Sequence, residues 1–205
     1  MKDKVVLATR NTGKIREFRR ILDELGSQTI ELMGLENFPH LSDVDETGST
    51  FTENALLKAE TVCQQTGLPA IADDSGLCID YLNGDPGIYS ARWSGVHGND
   101  SANIAKVLEQ LAGVGDDLRS AHFTCVAALA MPDGRTATSE GILHGRILRT
   151  PVGDHGFGYD PIFLPVGSAI SLAEFEAHAK DAISHRGQSL RSITPKIRAM
   201  FATLG

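Results

Sequence analysis

The chain has 205 residues, 41% of them hydrophobic and 22% charged, with a formal net charge of −7. That composition supports a core that needs no disulfide or structural metal, and it suits one domain over residues 1–205. Lys and Arg are scattered with no basic stripe, so no nucleic-acid partner is expected, although a local pocket of cations with a metal can still take a polyanion. The three cysteines, Cys63, Cys78 and Cys125, include no closely spaced pair and read as free thiols of a reducing cytosol. The apolar run near the N-terminus is too short for a signal peptide, and residues 125–131, the longest apolar stretch, are too few to span a bilayer. The expectation is a cytoplasmic protein with no membrane partner.

The first predicted element is a buried strand at residues 5–8. A polar loop follows. Ile15, Phe18, Ile21, Leu22 and Leu25 then recur at helical spacing up to Gly26, a left-handed cap. Residues 29–33 read as a second strand. Thr50 and Glu53 fit a capping box for a helix that reaches Gln65 and stops at Gly67. Residues 69–72 read as a strand ending in Asp73-Asp74-Ser75-Gly76, with strand resuming at 77–79. An amphipathic helix is predicted over 103–111, stopped by Gly113. Residues 123–131 and 136–148 flank the turn Pro132-Asp133-Gly134 as a hairpin. A glycine turn and a strand occupy 157–164, and Ser171 with Glu174 caps a short helix. Leu190, Ile193, Ile197, Phe201 and Leu204 mark a last helix, kinked at Pro195 or restarted there with Thr194 as N-cap. Interleaved strands and helices interrupted by a hairpin argue for an α/β fold with a mixed sheet.

Four segments carry candidate chemistry. Thr9-Arg10-Asn11-Thr12-Gly13-Lys14 joins a strand to a helix, where free backbone N–H groups, the positive end of the helix dipole and the Lys14 charge suit a phosphate. An ordinary capped loop would read the same way. It is not a P-loop, which would need Gly at Ala8 and Ser or Thr at Ile15. Asp73 and Asp74 are adjacent carboxylates at the end of an apolar strand, costly unless they cap backbone groups or hold a cation. Neighbours on an extended segment face opposite ways, so one Asp is expected to face a cleft and the other to brace the turn. Mg²⁺ suits such a site, because it prefers one or two carboxylates with phosphate oxygens and water. Gly156-Phe157-Gly158-Tyr159-Asp160 offers aromatic rings for a flat base and a carboxylate for a ring N–H, or is a tight turn around a buried aromatic. Lys180 and Ser184-His185-Arg186-Gly187 offer a cation for phosphate and a donor for a base carbonyl, or form a solvated charged face. The seven histidines show no zinc spacing, and no GxSxG elbow occurs.

Taken together and in this order, VVLATRNTGK, ETGSTFTENALLKA, PAIADDSGL, GDPGIYSAR, GFGYDPIF and AISHRG resemble the inosine triphosphate pyrophosphatase family over nearly the whole chain. The resemblance implies an ITPase-like (Maf/Ham-type) fold: a long mixed sheet bent between two lobes, helices around it, and a central active-site cleft. It implies hydrolysis of ITP, dITP or XTP to the monophosphate and pyrophosphate, cleansing the nucleotide pool, by a homodimer using Mg²⁺. Thr9, Arg10, Asn11, Thr12, Gly13, Lys14 and Ser75 would bind substrate. Asp74 and Glu46 would hold the metal, with Asp74 also the proton acceptor for the attacking water and Asp73 supporting it. Phe157, Gly158, Tyr159 and Asp160 would line the base pocket, Lys180 would approach phosphate, and His185 and Arg186 would meet the base. The sequence departs from the family's pattern at Arg10, commonly Gly, in the HAKDA stretch before SHRG, and at Pro195. Maf-type pyrophosphatases share the opening motif but lack the FGYD and SHR segments. A non-catalytic nucleotide sensor would keep the same pocket. A haloacid-dehalogenase phosphatase would need an Asp nucleophile within residues 5–12, where none occurs.

Overall fold

The computed structural model describes residues 3–25, 30–42 and 44–202. Six strands form one mixed sheet: β1 (Asp3–Leu7), β2 (Ile30–Gly34), β3 (Ala70–Ile79), β4 (Ser120–Ala130), β5 (Thr136–Ile147) and β6 (Phe163–Pro165). Their order is β2-β1-β3-β4-β5-β6. β1 lies parallel to both β2 and β3, and β6 is antiparallel to β5. Five α-helices accompany them: α1 (Thr12–Glu24), α2 (Phe51–Thr66), α3 (Asp100–Gln110), α4 (Ala177–Ile183) and α5 (His185–Ala202). Among the described residues no helix is long and apolar enough to cross a membrane.

The chain packs as two compact units. The first holds Met1–Asp74, Cys125–Gly141 and Arg186–Gly205, and the second holds Ser75–Thr124 and Ile142–His185.

In the first unit the strand pleat sorts side chains onto two faces. Val6, Ala70, Ala72, Val126 and Ala128 pack with Ala55, Ala59 and Val62 of α2. The intervening residues Val5, Leu7, Ile71, Ala127 and Leu129 pack instead with Phe18 and Ile21 of α1 and Leu190 and Ile193 of α5. Successive strand residues point to opposite faces, so a sheet covered on both sides needs apolar residues at every position, as β1 and the start of β3 have. Cys63 and Cys125 belong to this interior, and Cys78 is buried in the second unit; all three are free thiols.

Local signals set the helix ends. The Asn11 side chain accepts the Lys14 N–H to start α1. Thr50 caps α2 by accepting the Glu53 N–H, and Gly67 ends it at φ 67. The capping box is shifted by one residue: the Glu53 carboxylate returns to the Ser49 N–H and hydroxyl at 2.7 and 2.8 Å. Ser171 and Glu174 form the full box, but over a single 3-10 turn at Leu172–Glu174.

Two expectations are corrected. The Asp73-Asp74-Ser75-Gly76 stretch is not a turn: β3 runs unbroken from Ala70 to Ile79, because both carboxylates find side-chain partners and do not cap backbone. Nor does the last helix restart at Pro195. It begins at His185 and contains the proline, and Thr194 donates its hydroxyl to the Leu190 carbonyl at 2.7 Å instead of acting as an N-cap. Gly26, Thr29 and Leu204, assigned above to a cap, a strand start and a helix face, lie outside the described residues.

The second unit is centred on Leu77 and Ile79 of β3, Val107 and Leu111, and Phe123 and Phe163. Arg119 is 2% exposed and donates to the carbonyls of Ile147, Leu111 and Leu148 at 2.8, 2.9 and 2.8 Å. One guanidinium thus fastens the end of α3 to the end of β5. Arg119→Met keeps much of the volume and removes every donor. A buried acceptor left unsatisfied costs about 1–3 kcal/mol, so the variant is expected to lose about 2–4 kcal/mol in equilibrium urea unfolding.

Candidate active site

Pleat alternation continues from the core into the two aspartates. Asp73 follows Ile71 onto the face covered by α1 and α5. There its Oδ2 meets Lys14 Nζ at 3.0 Å and Arg186 Nη2 at 3.1 Å, and the Cys125 thiol lies 3.7 Å away. Arg186 is 1% exposed and also pairs through Nη1 with Glu17 of α1, itself buried. Asp74 follows Ala72 onto the α2 face. Its Oδ1 accepts from Lys58 Nζ at 2.9 Å and its Oδ2 from Asn54 Nδ2 at 3.3 Å. Lys58 Nζ also reaches Glu46 Oε1 at 2.8 Å, so one ammonium bridges the two carboxylates expected to hold metal. Asn54 is itself fixed, because its Oδ1 accepts the Gly48 N–H at 2.8 Å.

These surroundings drive the adjacent carboxylates apart in acidity. Burial alone would raise Asp73, but Lys14, Arg186 and Lys58 outweigh it and hold the carboxyl well below the ordinary range. Asp74 is raised: burial dominates, Glu46 adds to it, and Lys58 and Lys14 only partly oppose it. Lys58 is held protonated despite burial by Asp74 and Glu46. One carboxylate is thus a fixed anion and its neighbour the better proton acceptor, the separation that lets two like groups take different roles.

The donor set suits a hard divalent cation. Among the described residues no three acidic, histidine or cysteine groups stand together as a cation cage. Glu46 and Asp74 nevertheless already converge on one positive charge, and Mg²⁺ commonly takes only one or two carboxylates beside phosphate and water.

The loop before α1 lies at the same end of β1. Thr9 Oγ1 accepts the Asn11 N–H at 3.2 Å. Thr12, Gly13 and Lys14 form the first turn of α1, and the exposed Arg10 donates to the Leu41 carbonyl at 2.8 Å. Arg10 has no positive φ, so the backbone accepts a side chain where glycine is common. Lys14 binds Asp73, the residue next to Asp74, and its charge partly opposes the upward shift of Asp74.

In the second unit Ser75 is half-buried on β3, and the Gly156–Asp160 segment folds around its own carboxylate. Asp160 Oδ2 accepts the Phe157 N–H at 2.9 Å and Lys180 Nζ at 2.5 Å. A side chain at Gly156 would collide with that carboxylate. Lys180 Nζ lies 5.0 Å from the Phe157 ring centroid. The His185 ring stacks on Phe123 with centroids 4.7 Å apart.

Two placements differ from the sequence reading. Lys180, expected near phosphate, is buried against Asp160. Arg186, expected at a base, has its guanidinium engaged by Asp73 and Glu17. A charge taken out of water has to meet a partner, and in each case a buried carboxylate is the partner at hand. Glu17, Asn54 and Lys58 were missed. Their signal was available in part: Asn54 and Lys58 are four apart, on the helix face that also carries the buried Ala55 and Ala59, and Glu17 sits three residues after Lys14.

Residues 5–196 match the Ham1 family. A protein of Streptomyces coelicolor named dITP/XTP pyrophosphatase is 53% identical over 197 residues, covering 96% of this chain and 98% of its own length. A Geobacter sulfurreducens protein of the same name is 50% identical, covering 91% and 92%. The solved Ham1 protein of Staphylococcus aureus superposes with a TM-score of 0.84 at 37% identity over 97% of this chain and 100% of its own. The nucleoside-triphosphatase / dITP/XTP pyrophosphatase of Mycobacterium abscessus does so with 0.76 at 45%, over 95% and 99%. The resemblance drawn from the sequence motifs is borne out by these matches, and the chain belongs to the Ham1 family.

Proposed function

We propose that this protein is a nucleoside-triphosphate pyrophosphatase acting on non-standard purine nucleotides (dITP, XTP and ITP) and releasing the monophosphate and pyrophosphate. The observation that carries the reading is the Asp73-Asp74 pair, one carboxylate held by Lys14 and Arg186 and the other converging with Glu46 on Lys58. The names of its full-length relatives point the same way.

In this reading Lys14 and the N–H groups at the start of α1 take the triphosphate, where a helix N-terminus favours anions. Asp74 accepts the proton of the attacking water as the α–β phosphoanhydride breaks and pyrophosphate leaves. Asn54 and Lys58 fix both oxygens of Asp74, so the base is oriented before substrate arrives. Asp73 holds Lys14 and Arg186 in place and stays ionised. Glu46 and Asp74 would hold Mg²⁺, which when bound offsets charge on the phosphate oxygens. Phe157 and Asp160 supply a ring face and a carboxylate for the base, with Lys180 setting the position of Asp160. A cytoplasmic homodimer, implied by the family resemblance, completes the reading.

Three measurements test it. Pyrophosphate release from dITP and XTP should exceed that from dATP in the presence of Mg²⁺, and release of inorganic phosphate alone would refute the reaction. Asp74→Asn should lower kcat by at least about a thousand-fold, a loss typical of a central electrostatic group; turnover near wild type refutes its role. Lys58→Met removes the ammonium that competes for Glu46 and Asp74. Calorimetric titration of the nucleotide-free variant with Mg²⁺ should show tighter binding than wild type while kcat falls, and weaker binding would show that the two carboxylates do not form the cation site.

A further inference from the structure

The Gly84–Arg92 motif and the start of α3 have no role in the mechanism above, yet both reach the Gly156–Asp160 loop. Asp160 organises that loop from within through the Phe157 N–H and ties it to Lys180 of α4. Bonds to Asp100 and Ser90 also fasten it from outside. The Gly158 N–H donates to Asp100 Oδ2 at 2.7 Å, and the Tyr159 hydroxyl donates to the Ser90 carbonyl at 2.8 Å. Ser90 is rigid in turn, because its hydroxyl accepts the Leu77 N–H at 2.9 Å and donates to the Gly87 carbonyl at 2.6 Å. Tyr159 remains a donor, since burial and the nearby Asp100 charge both raise its phenol.

Asp100 is the informative member. It stands in the first turn of α3, where a carboxylate ordinarily serves the helix's own N–H groups. That task is already met by Asn99, whose side chain accepts the Ala102 N–H at 3.1 Å. The Asp100 carboxylate turns outward and takes an amide 58 residues away in sequence. Gly158 has φ 61, which glycine reaches freely among many alternatives, so its own preference does not single out this conformation and the Asp100 bond restrains it. A charge-assisted bond to an amide is about twice as strong as a neutral one.

We infer that Asp100 is a positioning residue for base selection: through the Gly158 N–H it sets where Phe157 and Asp160 stand. The inference rests on the base-binding reading of that loop. A loop that only reads the base should affect binding and discrimination and leave the phosphate chemistry intact. Asp100→Ala is therefore expected to raise KM for dITP about tenfold, to leave kcat within about twofold, and to narrow the dITP-to-dATP ratio of kcat/KM. Asp100→Asn, whose carboxamide oxygen still accepts a hydrogen bond, should recover most of the loss. A merely structural residue would lower Tm without splitting KM from kcat or changing the ratio.

The amide proton of Gly158 gives a second readout, independent of catalysis and usable in Asp100→Asn if the alanine variant does not fold. Loss of the charged acceptor should move its NMR resonance upfield. An unmoved resonance, or a KM and a substrate ratio both within about twofold of wild type in Asp100→Ala, overturns the inference. If the wild-type protein releases no pyrophosphate from dITP, the pyrophosphatase reading fails instead, and the Gly158 resonance still decides whether Asp100 anchors the loop.

Discussion

The pleat of β3 is the constraint on which the first unit depends. It carries two consecutive carboxylates into the interior and turns them to opposite faces, Asp73 toward α1 and α5 and Asp74 toward α2. An unpaired buried carboxylate would protonate or unfold its surroundings. Each face must therefore deliver a cation, and the elements on that face can sit only where Lys14, Arg186 and Lys58 reach their targets. Removing one partner of such a pair typically costs about 3–5 kcal/mol, a large share of the stability of an ordinary domain. Chemistry and architecture are coupled here: the groups that suit phosphate and metal are also the ones that make the strand tolerable in a core.

The two faces treat their carboxylates differently. On the Asp73 face two cations contact one oxygen, and Arg186 is tied further to Glu17. That carboxylate is locked and has little to offer a substrate beyond fixing Lys14. On the Asp74 face one ammonium is shared between two carboxylates. Burial raises Asp74 and the nearby cations only partly oppose it, whereas at Asp73 Lys14, Arg186 and Lys58 together outweigh burial. The difference in acidity follows from the charge of the neighbours and not from residue type, since both residues are Asp.

Much of this was legible in the sequence, for definite reasons. Residues 5–8 and the periodicity from Ile15 to Leu25 mark strand and helix because burial imposes period on composition. Thr50 and Gly67 mark the ends of α2 because orphan backbone groups need particular side chains or a left-handed residue. The opposite orientation of Asp73 and Asp74 followed from strand geometry alone. What sequence could not supply was partnership across the fold. Asp73-Asp74-Ser75-Gly76 has the composition of a turn, yet it lies within β3, where Lys14, Arg186 and Lys58, distant in the chain, meet its carboxylates. Pro195 looked like a break because local rules do not see the packing of Leu190, Ile193 and Ile197 against the sheet. Lys180 and Arg186 were recognised as important, but their carboxylate partners Asp160 and Glu17 are 20 and 169 residues away.

The position of Lys58 carries the argument for a cation site furthest. A lysine that served only to neutralise Asp74 would need one carboxylate; here a second, Glu46, comes from the chain preceding α2 to the same nitrogen. Bringing two carboxylates to one point is unfavourable unless the point is positive, and a single ammonium leaves the trio with one net negative charge. A divalent ion at the same place would reverse that sign and free the ammonium for a neighbouring anion such as a phosphate oxygen. Under the proposed function, Lys58 would close the site before nucleotide binds and would turn to a phosphate oxygen when nucleotide and metal arrive. The same three side chains thus balance one another's burial and, in that reading, would present positive charge to a polyphosphate once a divalent ion joins them.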